Sequence, residues 1–320
     1  MRLAPPLAAT AGVLARLEER MRSEALRQGV MSRLDVADAV AALWLEGELV
    51  DRDDLILHGA SMDARRPDLP LLRAHLALTA RRRTGRLRAG SLPSPETILS
   101  LVGEADSPLG GGAAGPAPMQ EAWADDPLGL RANPGEQRTA LTAWREVACG
   151  LEDMPPALAA ASAWLAWDQM DPLPRHGFVG ALLAAFLLRQ GPCLPPLAHG
   201  MRAVRLAGST LRRGVGTGAF VDSLLQRLAA IEAGARYGLD IHARLALAEQ
   251  VLASRTRGGR SSSLLPDFIR LALEEPLVTA PSVARRLGVS QQAALDLVQR
   301  AGPSLREVSG RRRYRAWAVV

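Results

Sequence analysis

Four polar residues on one short helical segment, and six arginines around it, are the side chains of this chain best suited to act on a ligand. Ser290, Gln291, Gln292 and Gln299 are expected to point away from the seam of Ala294, Leu297 and Val298. A glutamine amide pairs bidentately with adenine in the major groove, so Gln291 and Gln292 are candidate base readers. Arg311, Arg312, Arg313 and Arg315 suit phosphate oxygens, as do Arg285 and Arg286, and such contacts make affinity fall steeply with salt.

The elements that must hold these groups can be read from the flanking residues. Val283, Ala284 and Leu287 line one face of a helix over 279–287, with Thr279 as its cap and Pro281 in its first turn. Gly288 can take the positive φ that ends a helix, and Ser290 is a natural N-cap for a helix over 290–300. A preceding helix over 264–275 completes a helix-turn-helix. Two strand-like runs, 304–308 and 312–319, joined at Ser309-Gly310, add a hairpin and make the unit a winged helix.

Charge points to the same end of the chain. Residues 255–320 hold twelve arginines against five acidic residues, a net of +7 in a chain of net +6, which leaves −1 on the first 254 residues. A basic excess confined to one small unit is the electrostatic footprint of nucleic-acid binding, with double-stranded DNA as the partner. The polar outward residues of the third helix favour DNA over a purely protein-docking unit.

The remaining composition bounds the possibilities. All 39 basic residues are arginine, which fits a GC-rich genome, and 320 residues with 48% hydrophobic content have room for about two domains. The sequence contains no apolar run long enough to span a membrane and opens without a signal-peptide pattern, so a cytoplasmic protein is expected. Cys149 and Cys193 suit neither a zinc cluster nor a redox pair and are expected to be small buried hydrophobes. No metal or cofactor is indicated. A homo-oligomer would match a two-fold operator, although no coiled-coil heptads supply one.

The larger part of the chain reads as all-α. Residues 1–83 form an N-terminal helical region, with helices expected over 13–28, 35–45 and 69–83, and a polar DRDD loop before Leu55. The Arg81-Arg82-Arg83 run is expected to be solvated at a helix end. Residues 84–133, with the tract PLGGGAAGPAP, read as a flexible insertion or linker. A helical core follows over 134–255, with helices expected over 134–150, 155–169, 176–190, 194–213, 218–234 and 239–255. The stretch GFVGALLAAFLLRQG is apolar all round and should be central. Residues 256–263 read as a linker, and 264–320 as the DNA-binding domain. The fold class is therefore mainly α, a helical body followed by a small winged helix.

Two places in the body resemble one family, the Fic (filamentation induced by cAMP) proteins, several of which carry a C-terminal winged helix with a similar LGVS turn and Gly-Arg-Arg-Arg wing. Their signature loop, His-Pro-Phe-x-Asp/Glu-Gly-Asn-Gly-Arg, precedes an apolar helix and a Gly/Pro stop. Here the stretch is DPLPRHGFVGALLAAFLLRQGPCLPP. Asp171 takes the histidine position, Pro172 keeps the proline, and Arg175 takes the acidic position. His176, Gly177, Phe178 and Val179 replace the nucleotide cradle, with one residue missing before Gly180. The resemblance implies a Fic-like helical frame whose general base, Mg²⁺ carboxylate and phosphate nest are gone. His176 then reads as a structural histidine.

Glu46-Gly47 in ALWLEG resembles the family's inhibitory Ser/Thr-x-x-x-Glu-Gly helix, with Ala42 at the hydroxyl position. The overall layout is also similar to a family of helical proteins with a C-terminal helix-turn-helix common in rhizobia. The reading is a DNA-binding transcriptional regulator with a catalytically decayed body. The alternatives are a Fic-type nucleotidyl (AMP) transferase with an unusual loop, and a protein-interaction module.

Overall fold

The computed structural model describes residues 2–22, 24–63, 66–103, 134–208, 217–256, 264–309 and 315–319. Within them run α1 (Ala4–Met21), α2 (Glu24–Leu45), α3 (Arg52–Gly59), α4 (Leu69–Arg86), α5 (Pro95–Leu101), α6 (Pro134–Cys149), α7 (Pro156–Met170), α8 (Phe178–Leu188), α9 (Leu197–Leu206) and α10 (Thr217–Thr256). The C-terminal unit adds α11 (Leu265–Glu274), β1 (Val278–Thr279), α12 (Ala280–Leu287), α13 (Gln291–Ala301), β2 (Leu305–Glu307) and β3 (Ala316–Val319). The fold is mainly α, with one small antiparallel sheet of order β1-β3-β2.

The sequence places α8 at the centre of the core, and there it lies. From Val179 to Leu188 every residue but Leu187 is buried, among alanine-rich faces of α2, α4, α7 and α9. Alanines let helices approach closely, and the larger volumes are supplied by Trp164, Phe186 and Met201. A second cluster joins α5, α6, α7 and α8, where Trp144 and Trp167 meet edge to face at 5.2 Å. Trp144 Nε1 donates to the Ala163 carbonyl at 2.9 Å, which satisfies its buried N–H.

Several sequence expectations are corrected. The first two helices break at residues 22–23 rather than between 28 and 35, so Gly29 to Leu34 lie inside α2. The DRDD segment is the start of α3: Asp51 caps it, accepting from the Asp53 and Asp54 N–H groups at 2.9 and 3.0 Å. The helices expected over 218–234 and 239–255 are one 40-residue helix, α10. Gly234, which reads as a helix stop, is there for space: a Cβ on it would stand 2.5 Å from the Pro196 carbonyl oxygen, where α9 begins. The strand β1 is not expected from the sequence: Val278 lies between the two expected helices and Thr279 reads only as a cap. It pairs with β3 through Val278 and Trp317.

Arg81 is the largest departure. Instead of a solvated helix end, it is 2% exposed and sits between α2 and α4. Its guanidinium donates to Asp35 at 2.8 Å, to Asp38 at 2.7 Å, and to the Leu194 carbonyl. Burial works against its charge, but Asp38 and Asp35 outweigh it and raise its hold on the proton. Arg82 and Arg83 are exposed as expected. Of the cysteines, Cys193 is buried, its thiol pushed up to about 12 by burial, whereas Cys149 is exposed.

Among the described residues no helix is long and apolar enough to cross a membrane. Residues 104–133 of the expected insertion, 257–263 of the expected linker, and Arg311 to Arg313 lie outside the described residues.

Candidate nucleic-acid interface

The C-terminal unit is built from local signals that satisfy its backbone. Thr279 and Ser282 form a reciprocal capping box: Thr279 Oγ1 accepts from the Ser282 N–H at 3.2 Å, and Ser282 Oγ accepts from the Thr279 N–H at 2.9 Å. Gly288 ends α12 at φ 67°, and its N–H returns to the Ala284 carbonyl. Ser290 then caps α13, accepting from the Ala293 N–H at 3.2 Å.

These caps fix the rotation of α13 about its axis. Ala294, Leu297, Val298 and Ala301 are buried against Phe268, Val283 and Trp317. Gln292, Asp296, Gln299 and Arg300 are exposed on the opposite side. Ser290 and Gln291 are exposed too, but at the N-terminal end of α13, where their seven-residue spacing from Leu297 and Val298 puts them in phase with the buried seam rather than away from it as expected. Gln292 Nε2 donates to Asp296 Oδ1 at 3.3 Å. On α12, Arg285 and Arg286 are exposed, and Arg286 lies 3.8 Å from Glu275.

The sheet stands beside these helices. Leu305 pairs with Val319 and Glu307 with Trp317 across β2 and β3. Arg315 is exposed, but its guanidinium is engaged: Nε donates to Glu307 Oε2 at 2.8 Å and the group lies 5.2 Å from the Trp317 ring centre. That bond holds the Glu307 carboxyl below the usual carboxylate range. Arg311, Arg312 and Arg313 precede it in the segment outside the described residues.

With this geometry, the comparisons with known proteins can be placed on the chain. Residues 133–257 match a family described as "Protein of unknown function (DUF1612)". Residues 265–320 match one described as "HTH DNA binding domain". Over 362 aligned positions the chain is 31% identical to "Uncharacterized protein y4cF" of Sinorhizobium fredii (strain NBRC 101917 / NGR234), covering 95% of this chain and 93% of that protein.

The chain belongs to the DUF1612 family.

Its C-terminal unit is a helix-turn-helix DNA-binding domain, and it is docked firmly on α2 of the helical body. Arg33 of α2 is 5% exposed and donates to the carbonyls of Leu273 at 2.8 Å, Glu275 at 2.9 Å and Ala272 at 3.4 Å. These are carbonyls at the end of α11, the groups a helix C-terminus leaves unpaired. Ser32 Oγ adds a bond to the Glu274 carbonyl at 2.7 Å. Burial, with Arg52 nearby, lowers Arg33 to about 10, which leaves it charged at neutral pH. A cation at a helix C-terminus also opposes the negative end of its dipole.

Nothing in the local pattern marks Arg33 as buried; an arginine between Val30 and Leu34 on an apolar helix is the one available hint. Arg33→Ala is expected to cost about 3 kcal/mol, because it leaves buried carbonyls unsatisfied. Hydrogen exchange would report it as lost protection in α11, and unchanged protection there would refute the clamp.

In the helical body the two sequence-distant stretches, 46–47 and 171–180, lie side by side, the second of them inside the region that matches DUF1612. Glu46 pairs with Arg73 and stands at the start of α8, its Oε1 3.5 Å from where a Cβ on Gly177 would be, and near His176. Burial is the leading influence on Glu46 and raises its carboxyl. Arg73 also pairs with Glu48 and reaches the Arg175 carbonyl at 3.4 Å. Gly47 has φ 89° and Asp171 φ 44°, each ending a helical segment. Pro172 is buried, Arg175 and Gly177 are exposed, and the His176 ring meets Phe178 edge-on at 6.0 Å. Gly180 is pressed onto Trp167, so its place is filled by packing. Among the described residues no three His, Cys, Asp or Glu side chains gather as a metal site.

Proposed function

We propose that this protein is a transcriptional regulator that reads double-stranded DNA with a winged helix-turn-helix, α13 entering the major groove and the β2–β3 hairpin serving as the wing. One observation carries the reading: the capped, buried seam of α13 leaves Gln292 and Gln299 together on its exposed side, with Ser290 and Gln291 exposed at its N-terminal end. Side chains at that place on a recognition helix reach base edges, while flanking arginines hold phosphates. Arg285 and Arg286 on α12 and Arg311 to Arg313 on the wing supply the flanks. Arg315, tied to Glu307, steadies the wing and adds its charge. Work on chromosomal DNA puts the protein in the cytoplasm, and a two-fold operator calls for a homodimer.

The test is a titration of duplex DNA against the full chain at several salt concentrations. Replacing Arg311, Arg312 and Arg313 together by alanine is expected to reduce the slope of log affinity against log salt by about 3, one for each phosphate contact. An unchanged slope and affinity would remove the wing from the interface. No binding to any duplex at low salt would overturn the reading as a whole.

A second reading concerns the body. The contact between Glu46 and the start of α8 supports a Fic-like frame, because it joins the two stretches whose resemblance to that family is independent in sequence. The replaced catalytic positions, Asp171 and Arg175, support the loss of AMP transfer rather than its retention. Transfer of the labelled AMP moiety of ATP to a protein hydroxyl with release of pyrophosphate, dependent on His176, would overturn the decayed-site reading.

A further inference from the structure

Asp296 is an odd residue to find on the DNA-facing side of a recognition helix. It is exposed on the same side of α13 as Gln292 and Gln299, and a carboxylate there repels the phosphate backbone. Its neighbour in space gives it a purpose. Gln292 and Asp296 are four residues apart, one helical turn, and Gln292 Nε2 lies 3.3 Å from Asp296 Oδ1.

An ionised carboxylate only accepts hydrogen bonds, so it is the NH₂ side of the Gln292 amide that must face it. Without such a partner an exposed amide can turn over, exchanging donor and acceptor. With it, one amide hydrogen is committed to Asp296, and the other lies alongside Oε1. Carbonyl and remaining N–H together form the donor-acceptor edge that matches N7 and the exocyclic amine of adenine. The contact is modest on a hydrated helix surface and strengthens when the groove closes over it and excludes water.

Resting on the DNA-binding reading above, we propose that Asp296 is a positioning residue that fixes the orientation of the Gln292 amide and so makes adenine the base preferred at one position of the site. Asp296 serves specificity twice. It orders the amide, and its charge lowers affinity for DNA that offers no matching base.

Selection from a library of duplexes with a randomised core, using the full chain, tests this. The unsubstituted protein is expected to favour adenine about tenfold at one position, and Gln292→Ala to abolish that preference. Asp296→Ala is expected to cut it to about threefold or less while binding to random duplex becomes tighter. Asp296→Asn, which can still offer a carbonyl to Nε2, should retain an intermediate preference. A base preference does not move merely because a helix is less stable, and circular dichroism checks the helix itself. If Gln292→Ala removes an adenine preference that Asp296→Ala leaves intact, the proposal is overturned while DNA reading stands. If no position shows an adenine preference that depends on Gln292, it is likewise overturned. If the full chain binds no duplex at all, the DNA-binding reading fails first.

Discussion

Arg81→Met should lower stability by about 3–5 kcal/mol, the largest loss expected from any single charged side chain of the body. The substitution keeps most of the volume and removes the cation from a site that is 2% exposed. Asp35 and Asp38 then lose their partner at 2.8 and 2.7 Å, and the Leu194 carbonyl loses a donor. Asp38 retains one bond, from the His199 backbone N–H at 3.0 Å, which is too little to offset a buried charge. For a chain of this size the loss corresponds to a fall of about 10 °C in Tm. Adding Asp38→Asn to Arg81→Met should recover part of it, because the second change removes one of the two stranded charges. A loss below about 1 kcal/mol in chemical denaturation would show that the triad is solvated and not buried as described.

Gly200→Ala is expected to be as severe, for a reason that involves no charge. A Cβ at position 200 would stand 1.9 Å from the Ala230 carbonyl oxygen and 2.8 Å from the Gly234 nitrogen. Both obstacles are backbone atoms of α10, so no side chain can swing aside and the two helices must separate. Overpacking of a core typically costs 1–3 kcal/mol, and a forced shift of two helices places this case at about 3 or more. Gly12→Ala is the matched control. Nothing lies within 4 Å of its Cβ position on α1, so alanine there should stabilise by about 0.5–1 kcal/mol through helix propensity alone. Equal Tm values for the two variants would contradict the close crossing of α9 and α10.

The contrast between these glycines shows where sequence reasoning stops. Gly288 was legible because its task is local: it ends α12 with a positive φ, and Ser290 two residues later caps α13. Gly234 and Gly200 look the same on paper, but their task is to admit another helix, and a single sequence does not say which segments cross. The same limit explains Arg33 and Arg81. An arginine in a helical stretch normally snorkels to water. Only when α11 ends on α2, or when α4 packs against α2, does the guanidinium become the partner of carbonyls or carboxylates brought from far along the chain.

Local order therefore came from the residues themselves. Caps, turns and the 3.6-residue period determined α12 and α13, the polar side of α13, and the apolar helix α8, because each depends on interactions within a turn or two. The concentration of arginine at the C-terminal end was equally plain from composition. Tertiary structure alone decided that α10 runs unbroken for 40 residues, that β1 joins the sheet, and that Arg33 ties the DNA-binding unit to the body. It also brought Glu46 to the start of α8. Those outcomes depend on which surfaces meet, and the free energy of burying one helix against another overrides the preference of any single residue for water or for a turn.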